Sequence, residues 1–234
     1  MWYCTPRFAW AYLFGGVVKS LELFLKYVTI HVSGCSDPLA VQALASSANE
    51  FCKLTHQAQL LEAQSLTAGQ QNYEVPSATS SDHICVIGVF AGAWLKPVTT
   101  EQVRLGEVLL GSSVGSSVPA LGSPTHYFMR SPEATEISLF PVPSQDVIDG
   151  LVIRTAYAPS LSSTSVPDHL FNRWNDAIVA GALYRLFGIP GHPWSSEKQS
   201  EKNKNLFYTE VRKAHAEARR GMAAASSRVI GPRF

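Results

Sequence analysis

Charge is scarce in this chain. Asp, Glu, Lys and Arg make up 16% of 234 residues against 46% hydrophobic, and 19 basic side chains nearly cancel 18 acidic ones to a formal net charge of +1. Such a balance excludes a global field drawing the protein to nucleic acid or anionic lipid, so any basic surface must be local. So few charges over so much apolar content also leave patches that another surface is expected to cover. Cysteine is equally sparse: Cys4, Cys35, Cys52 and Cys85 are scattered, with no CxxC. Zinc-binding spacings are thereby excluded, and the expectation is of reduced, mostly buried thiols in a protein made in a cytoplasm. A long hydrophobic run is missing too. Phe8–Val18 is uncharged, but Lys19, Glu22 and Lys26 follow at once, whereas a spanning helix needs ~20 apolar residues. A signal peptide would want a more basic start and a clearer small-residue cleavage site. The segment reads as a core helix or one covered by a partner, with no membrane involved; a protein held to a membrane by Phe8 to Ile30 is the rival reading.

The usual signatures of catalysis are absent or poorly supported. The seven histidines, His31, His56, His83, His126, His169, His192 and His215, form no HxxxH or HExxH pair, so no helix offers two metal ligands on one face. Asp82-His83 and Asp168-His169 are sequence neighbours, which do not face each other on a helix. Glu133 and Glu136 have no partnering pattern, and no glycine loop would cradle phosphate. Gly111-Ser112-Ser113-Val114-Gly115 formally matches GxSxG, which would make Ser113 the nucleophile of a serine hydrolase. A nucleophile elbow needs a helix after the serine, and here Ser116-Ser117-Val118-Pro119 follows. The reading is therefore of no catalytic residue, no metal and no cofactor.

What is present is a change of period along the chain. Leu21–Ile30 is densely apolar, with Glu22 and Lys26 one helical turn apart. Ser33–Pro38 breaks it, and a second helix starts where Asp37 is placed to cap and Pro38 suits a first turn. Leu39, Ala40, Ala43, Leu44, Ser47, Phe51 and Leu54 form its apolar face, and it should end near His56. Short strand-like pieces follow at Leu60–Val75, Ile84–Phe90, Trp94–Val98, His126–Arg130, Glu136–Val142 and Leu151–Ala158. Pro76 suggests that one of them lies at a sheet edge, and Gly111–Pro124 reads as a flexible Gly/Ser-rich insert. From Pro167 the helical period returns, with Leu170, Trp174, Ala177, Ile178, Gly181, Leu183 and Leu186 on one broad side. Gly181 in a helix interior costs about 1 kcal/mol against alanine, which points to a close helix–helix approach. The helix must stop at Gly188-Ile189-Pro190-Gly191-His192-Pro193-Trp194, where Gly188 is expected to be left-handed and a tryptophan is expected to bury against Gly181 or a neighbouring helix. A last helix runs from Ser196 to Met222, with Ser196 and Gln199 spaced as a capping box and a narrow stripe of Phe207, Val211, Ala214, Ala218 and Met222. In the final segment, Arg219 to Phe234, Arg219, Arg220, Arg228 and Arg233 carry no compensating acid.

The fold class expected is α+β: a helical bundle from both chain ends with a projecting antiparallel β lobe formed by the middle. The expected parts are residues 1–56 (helical), 57–160 (β lobe, insert 111–124), 161–222 (helix pair) and 223–234 (extended tail).

The succession EISLFPVP, GLVIRTAYAPS, VPDHLFNRWNDAIVAGALYRLFGIPGHPW and a long charged helix resembles the head-to-tail adaptor proteins of short-tailed bacteriophages. VSGCSDPLAVQALASSANEFCKLT followed by LTAGQQNYEVP is similar to the first half of that family, and the resemblance covers about residues 20–222. Met1–Val18 and the Gly/Ser insert fit it less well. The resemblance implies a structural virion protein of the neck: a homo-oligomeric ring, commonly of twelve subunits, between the portal protein and the tail nozzle or fibre proteins. DNA would pass transiently through its centre without sequence-specific binding. It implies a structural corner at Pro167, Trp174, Gly181, Pro190, Pro193 and Trp194, and a portal-reaching segment with Arg219, Arg220, Arg228, Ile230, Arg233 and Phe234. Another neck or tail structural component is the alternative within the same class.

Overall fold

A computed structural model describes residues 18–77, 81–99, 121–131 and 134–220. The described residues are mixed α+β and fall into two compact units, Ala58–Tyr157 and Val18–Gln57 together with the chain from Ala158 onward. Phe8–Val17, the Gly111–Gly115 motif and the residues after Arg220 lie outside the described residues.

The first unit is all β. Its strands are β2 (Gln59–Leu66), β3 (Asn72–Glu74), β4 (Ser81–Phe90), β5 (Lys96–Val98), β6 (Leu121–Gly122), β7 (His126–Phe128), β8 (Glu136–Phe140), β9 (Val142–Pro143) and most of β10 (Val147–Pro159). They form a three-stranded sheet in the order β2-β10-β4, a four-stranded sheet β3-β8-β7-β5 and the pair β6-β9. In β10, Leu151, Ile153 and Thr155 are buried and alternate with half-buried Val152 and Arg154, as a strand with one covered face requires. Leu151 and Ile153, together with Tyr73, Val89, Ile137 and Leu139, belong to the core of this unit. Two expectations need correction. The unit is not wholly antiparallel, because β5 pairs with β7 and β6 with β9 in parallel. Parallel neighbours need a long crossover, and the strand positions allow one: β5 ends at Val98 and β7 begins at His126, while β6 ends at Gly122 and β9 begins at Val142. The Gly/Ser-rich stretch does not reach Pro124 as a free insert either, since Leu121 and Gly122 are paired with Val142 and Pro143.

The second unit carries all four described helices and one small sheet that the sequence pattern did not suggest. Strand β1 (Val18–Ser20) pairs antiparallel with β11 (Ser165–Pro167). Three-residue strands are too short to show a period, which is why this pair escapes pattern reading. Helix α1 (Glu22–Thr29) follows and buries Phe24 and Val28, the Phe24 ring meeting Phe171 edge-on at 4.9 Å. Helix α2 (Asp37–Thr55) has Ser36 as its extended N-cap, with no side-chain capping bond. Asp37 is thus not the cap but the first helical residue, where its carboxylate complements the helix dipole. The helix ends at left-handed His56, whose N–H donates to the Cys52 carbonyl at 2.9 Å. Its buried side is broader than the expected stripe and includes Ala45, Ala48, Asn49, Cys52 and Thr55, while Leu54 is exposed.

Helix α3 (Asp168–Phe187) lies at the centre, packed against both α2 and α4 (Glu197–Arg220). Leu170, Trp174, Ala177, Ile178, Gly181, Leu183 and Leu186 are all buried. At Gly181 the three helices come close together. A Cβ built on it would lie 2.0 Å from Ser47 Oγ of α2 and 2.8 Å from the Phe207 ring of α4. That closeness lets the Ser47 hydroxyl donate to the Ile178 carbonyl at 2.8 Å in the buried interior. Gly181 therefore meets Ser47 and Phe207, and no tryptophan packs against it at this distance. Gly181→Ala should destabilise the protein, because overpacking costs about 1–3 kcal/mol and the alanine helix preference returns only about 1 kcal/mol. Thermal unfolding of the variant should show a lower midpoint; an unchanged or higher one would remove this account of the helix junction.

Candidate functional site

The chain between α3 and α4 forms a stiff corner. The Gly188 N–H donates to the Tyr184 carbonyl at 3.2 Å, and Ser196 N–H returns to the Phe187 carbonyl at 3.0 Å. Gly188 is right-handed, with φ −78° and ψ −8°, contrary to expectation. The left-handed residue is Gly191, at φ 82°, since the chain turns three residues later, between the two prolines. His192 lies flat on Trp194, their ring centroids 4.4 Å apart at 12°. The other face of the corner reaches the α1–α2 loop, where the edge of Trp194 stands 3.9 Å from the Cβ position of Gly34. Helix α4 then starts with Gln199 N–H donating to Ser196 Oγ at 3.4 Å, one half of the capping box, and the Ser200 hydroxyl donates back to the Tyr184 carbonyl at 2.7 Å.

The six corner residues do not converge on one place. Pro167 ends β11 and serves as the N-cap of α3. Trp174 is buried against Phe51, 5.6 Å between ring centroids, at a kink in α3 where its own backbone leaves the helical region (φ −121°, ψ 21°). Gly181 sits at the three-helix junction. Pro190 and Pro193 are exposed, and Trp194 is half-buried. Of the basic segment, Arg219 and Arg220 end α4, and Arg228, Ile230, Arg233 and Phe234 lie outside the described residues.

A polar tether that residue spacing did not reveal joins the same three helices. Glu50 of α2 pairs with Arg185 of α3 and accepts hydrogen bonds from Tyr184 at 3.2 Å and Tyr208 of α4 at 2.9 Å. Arg185 also donates to the Gly181 carbonyl at 2.6 Å. Both tyrosines titrate above their ordinary value, Tyr184 chiefly through burial and Tyr208 chiefly through its bond to Glu50. Helix α2 meets here two helices that lie more than a hundred residues further along the chain, so no local motif announces it.

Chemistry finds little to work with. Among the described residues no cluster of His, Cys, Asp or Glu is arranged to hold a metal ion. Cys35 and Cys85 are half-buried free thiols rather than fully buried ones, and among the described cysteines only Cys52 is buried. Burial raises the pKa of both Cys35 and Cys85, which disfavours the thiolate that a nucleophile requires. The histidines are drawn the opposite way: burial lowers His56, His83 and His169, with nearby His215 adding to the shift of His56. His169 Nε2 lies 3.2 Å from the Gln57 carbonyl, while the Gln57 amide donates to the Ala214 carbonyl at 2.8 Å. These contacts lock the end of α2 onto α3 and α4. No described helix is long and apolar enough to cross a membrane.

A family model described as SU10 adaptor protein matches residues 24–231. The chain belongs to this family. No curated protein matches the chain significantly. The SU10 adaptor proteins are phage structural adaptors, and membership implies a structural part in phage assembly, at the neck of the virion. The matched span takes in α1 from Phe24, every later described element, and Arg228 and Ile230.

Two outcomes follow for this adaptor. Trp174→Ala removes a buried ring from the α2–α3 contact and should lower stability by about 3–5 kcal/mol, visible as a reduced melting temperature; normal melting would overturn this account of the kink. His56, His83 and His169 bind protons less readily folded than unfolded, so the stability they contribute is complete above their ordinary value of 6.5 and is lost as pH falls through their lower folded values. Melting temperatures measured between pH 7.5 and 5.5 should fall with acidification, and a flat or rising series would contradict the burial argument.

Proposed function

We propose that this adaptor is a ring subunit joining the portal protein to the tail of a short-tailed phage. In this reading the helices of Val18–Gln57 and Asp168–Arg220 build the ring wall as a bundle, and the β unit projects from it toward neighbouring subunits or the tail. Twelve copies close the ring, the chain after Arg219 reaches into the portal, and DNA passes through the centre without base-specific contacts. The observation that carries the proposal is the family match over most of the chain.

The surface supports it. Helix α1 buries one side but leaves Leu23 44%, Tyr27 37% and, at its end, Ile30 75% exposed, residues spaced to lie along one stripe. A stripe of this kind suits a surface covered in an assembly. Arg219, Arg220, Arg228 and Arg233, with Ile230 and Phe234, offer a locally basic segment with two apolar anchors for the portal in a nearly neutral chain.

Light scattering tests the proposal. The purified chain mixed with the cognate portal rings should give a single large species of fixed stoichiometry, and a chain indifferent to them would overturn the adaptor-ring reading. Truncation after Met222 should leave melting unchanged while abolishing attachment to the portal. Attachment by the truncated chain would remove the portal role of Arg228, Ile230, Arg233 and Phe234.

A further inference from the structure

Two grooves in the helical unit carry opposite unpaired charge. The first, about 560 Å³, opens between α1, α2 and the loop before β11; Leu25, Val41 and Leu161 line it, with the carboxylates of Glu22 and Asp37. Lys26, one turn from Glu22, sits over the Tyr27 ring instead of pairing with it, and neither acid has a salt-bridge partner among the described residues. The second, about 450 Å³, runs along α4, where Lys198, Glu201, Lys202, Leu206 and Thr209 line it. Lys198 and Lys202 are likewise without salt-bridge partners among the described residues, and Leu206 is 49% exposed. Lys198, Lys202, Asn205, Thr209 and Arg212 follow at intervals of four, three, four and three, which is one helical face. Glu201 is the one acid in this groove, and the acids Glu210 and Glu217 are engaged by Lys213 and Arg173.

We infer that the acidic groove of one adaptor copy receives the basic face of α4 from the next copy, so that Glu22 and Asp37 meet Lys198 and Lys202 while Leu206 is covered by the groove's apolar lining. The inference rests on the ring reading above and names its subunit contact. A second copy is the occupant that the charges favour: Glu22 and Asp37 in one groove, and Lys198 and Lys202 in the other, have no salt-bridge partner among the described residues, and each groove offers the sign that the other needs. Because two different surfaces meet, the contact is head-to-tail, the type that propagates around a closed ring. Exposed charges of this kind chiefly select partner and register, and the apolar lining supplies the buried area.

Charge reversal in the full-length chain tests it. Glu22→Lys with Asp37→Lys should melt somewhat lower, because both acids lie in first helical turns, and Lys198→Glu with Lys202→Glu should not; both variants should stay folded at the assay temperature yet lose the stoichiometric species on portal rings. Combining all four substitutions in one chain should restore it. Carbodiimide cross-linking of mixed isotope-labelled and unlabelled native chains on portal rings should join Glu22 or Asp37 of one copy to Lys198 or Lys202 of another. Native assembly by both double variants, failure of the fourfold variant to recover, or cross-links from the acids to the portal alone would overturn the pairing while leaving the ring intact. A native chain that never assembles would overturn the ring reading itself, and the pairing with it.

Discussion

Gly181 has no side chain, and the helical unit is assembled over that space. Because nothing projects from this turn of α3, the backbone of α2 comes close enough for the Ser47 hydroxyl to reach the Ile178 carbonyl, and the Phe207 ring of α4 fills the other side. Any larger residue would wedge α2 and α4 away from α3 together. The helix preference lost at this position, about 1 kcal/mol, is small beside the packing that the approach permits. Phe51 continues the junction one turn along, touching both Trp174 and Phe207, so the kink at Trp174 and the junction at Gly181 belong to one packed interior.

Around this apolar junction the polar contacts set register more than they add stability. Glu50, Arg185, Tyr184 and Tyr208 remain partly in water, where an ion pair contributes little. Their value is geometric: one carboxylate takes partners from two other helices and fixes how they are staggered. The contacts of Gln57 with His169 and Ala214 do the same at the far end of α2. A subunit that must present fixed surfaces to neighbours gains from such register, because a slide of one helical turn would move every exposed side chain on α1 and α4.

The outer surface follows a different logic from the interior. A nearly neutral chain cannot rely on long-range attraction, and it instead distributes a few unpaired charges around exposed apolar residues such as Leu206 and Leu161. Charged side chains with counter-ions, such as Arg173 with Glu217, stabilise a face that stays wet. Charges without them mark faces that another surface can complete, and this fits a family whose members are phage adaptors.

Much of this fold was legible in the sequence, and the limits have physical causes. The four helices follow from the 3.6-residue period and from breakers such as Pro38 and the Gly188–Pro193 corner. The longer strands follow from alternation, clearest at Leu151, Ile153 and Thr155. Local chemistry also made Gly181 a site of close approach, because a mid-helix glycine needs a reason. The sequence could not say which residues would meet there. That Ser47 and Phe207 fill the space, that Glu50 gathers partners from α3 and α4, and that β1 finds β11 were decided only by tertiary structure. Each joins segments more than a hundred residues apart, and no local period encodes such a meeting. The same holds for the handedness of Gly188 and Gly191 and for the parallel strand pairs, where the path of the whole chain overrides the local preference.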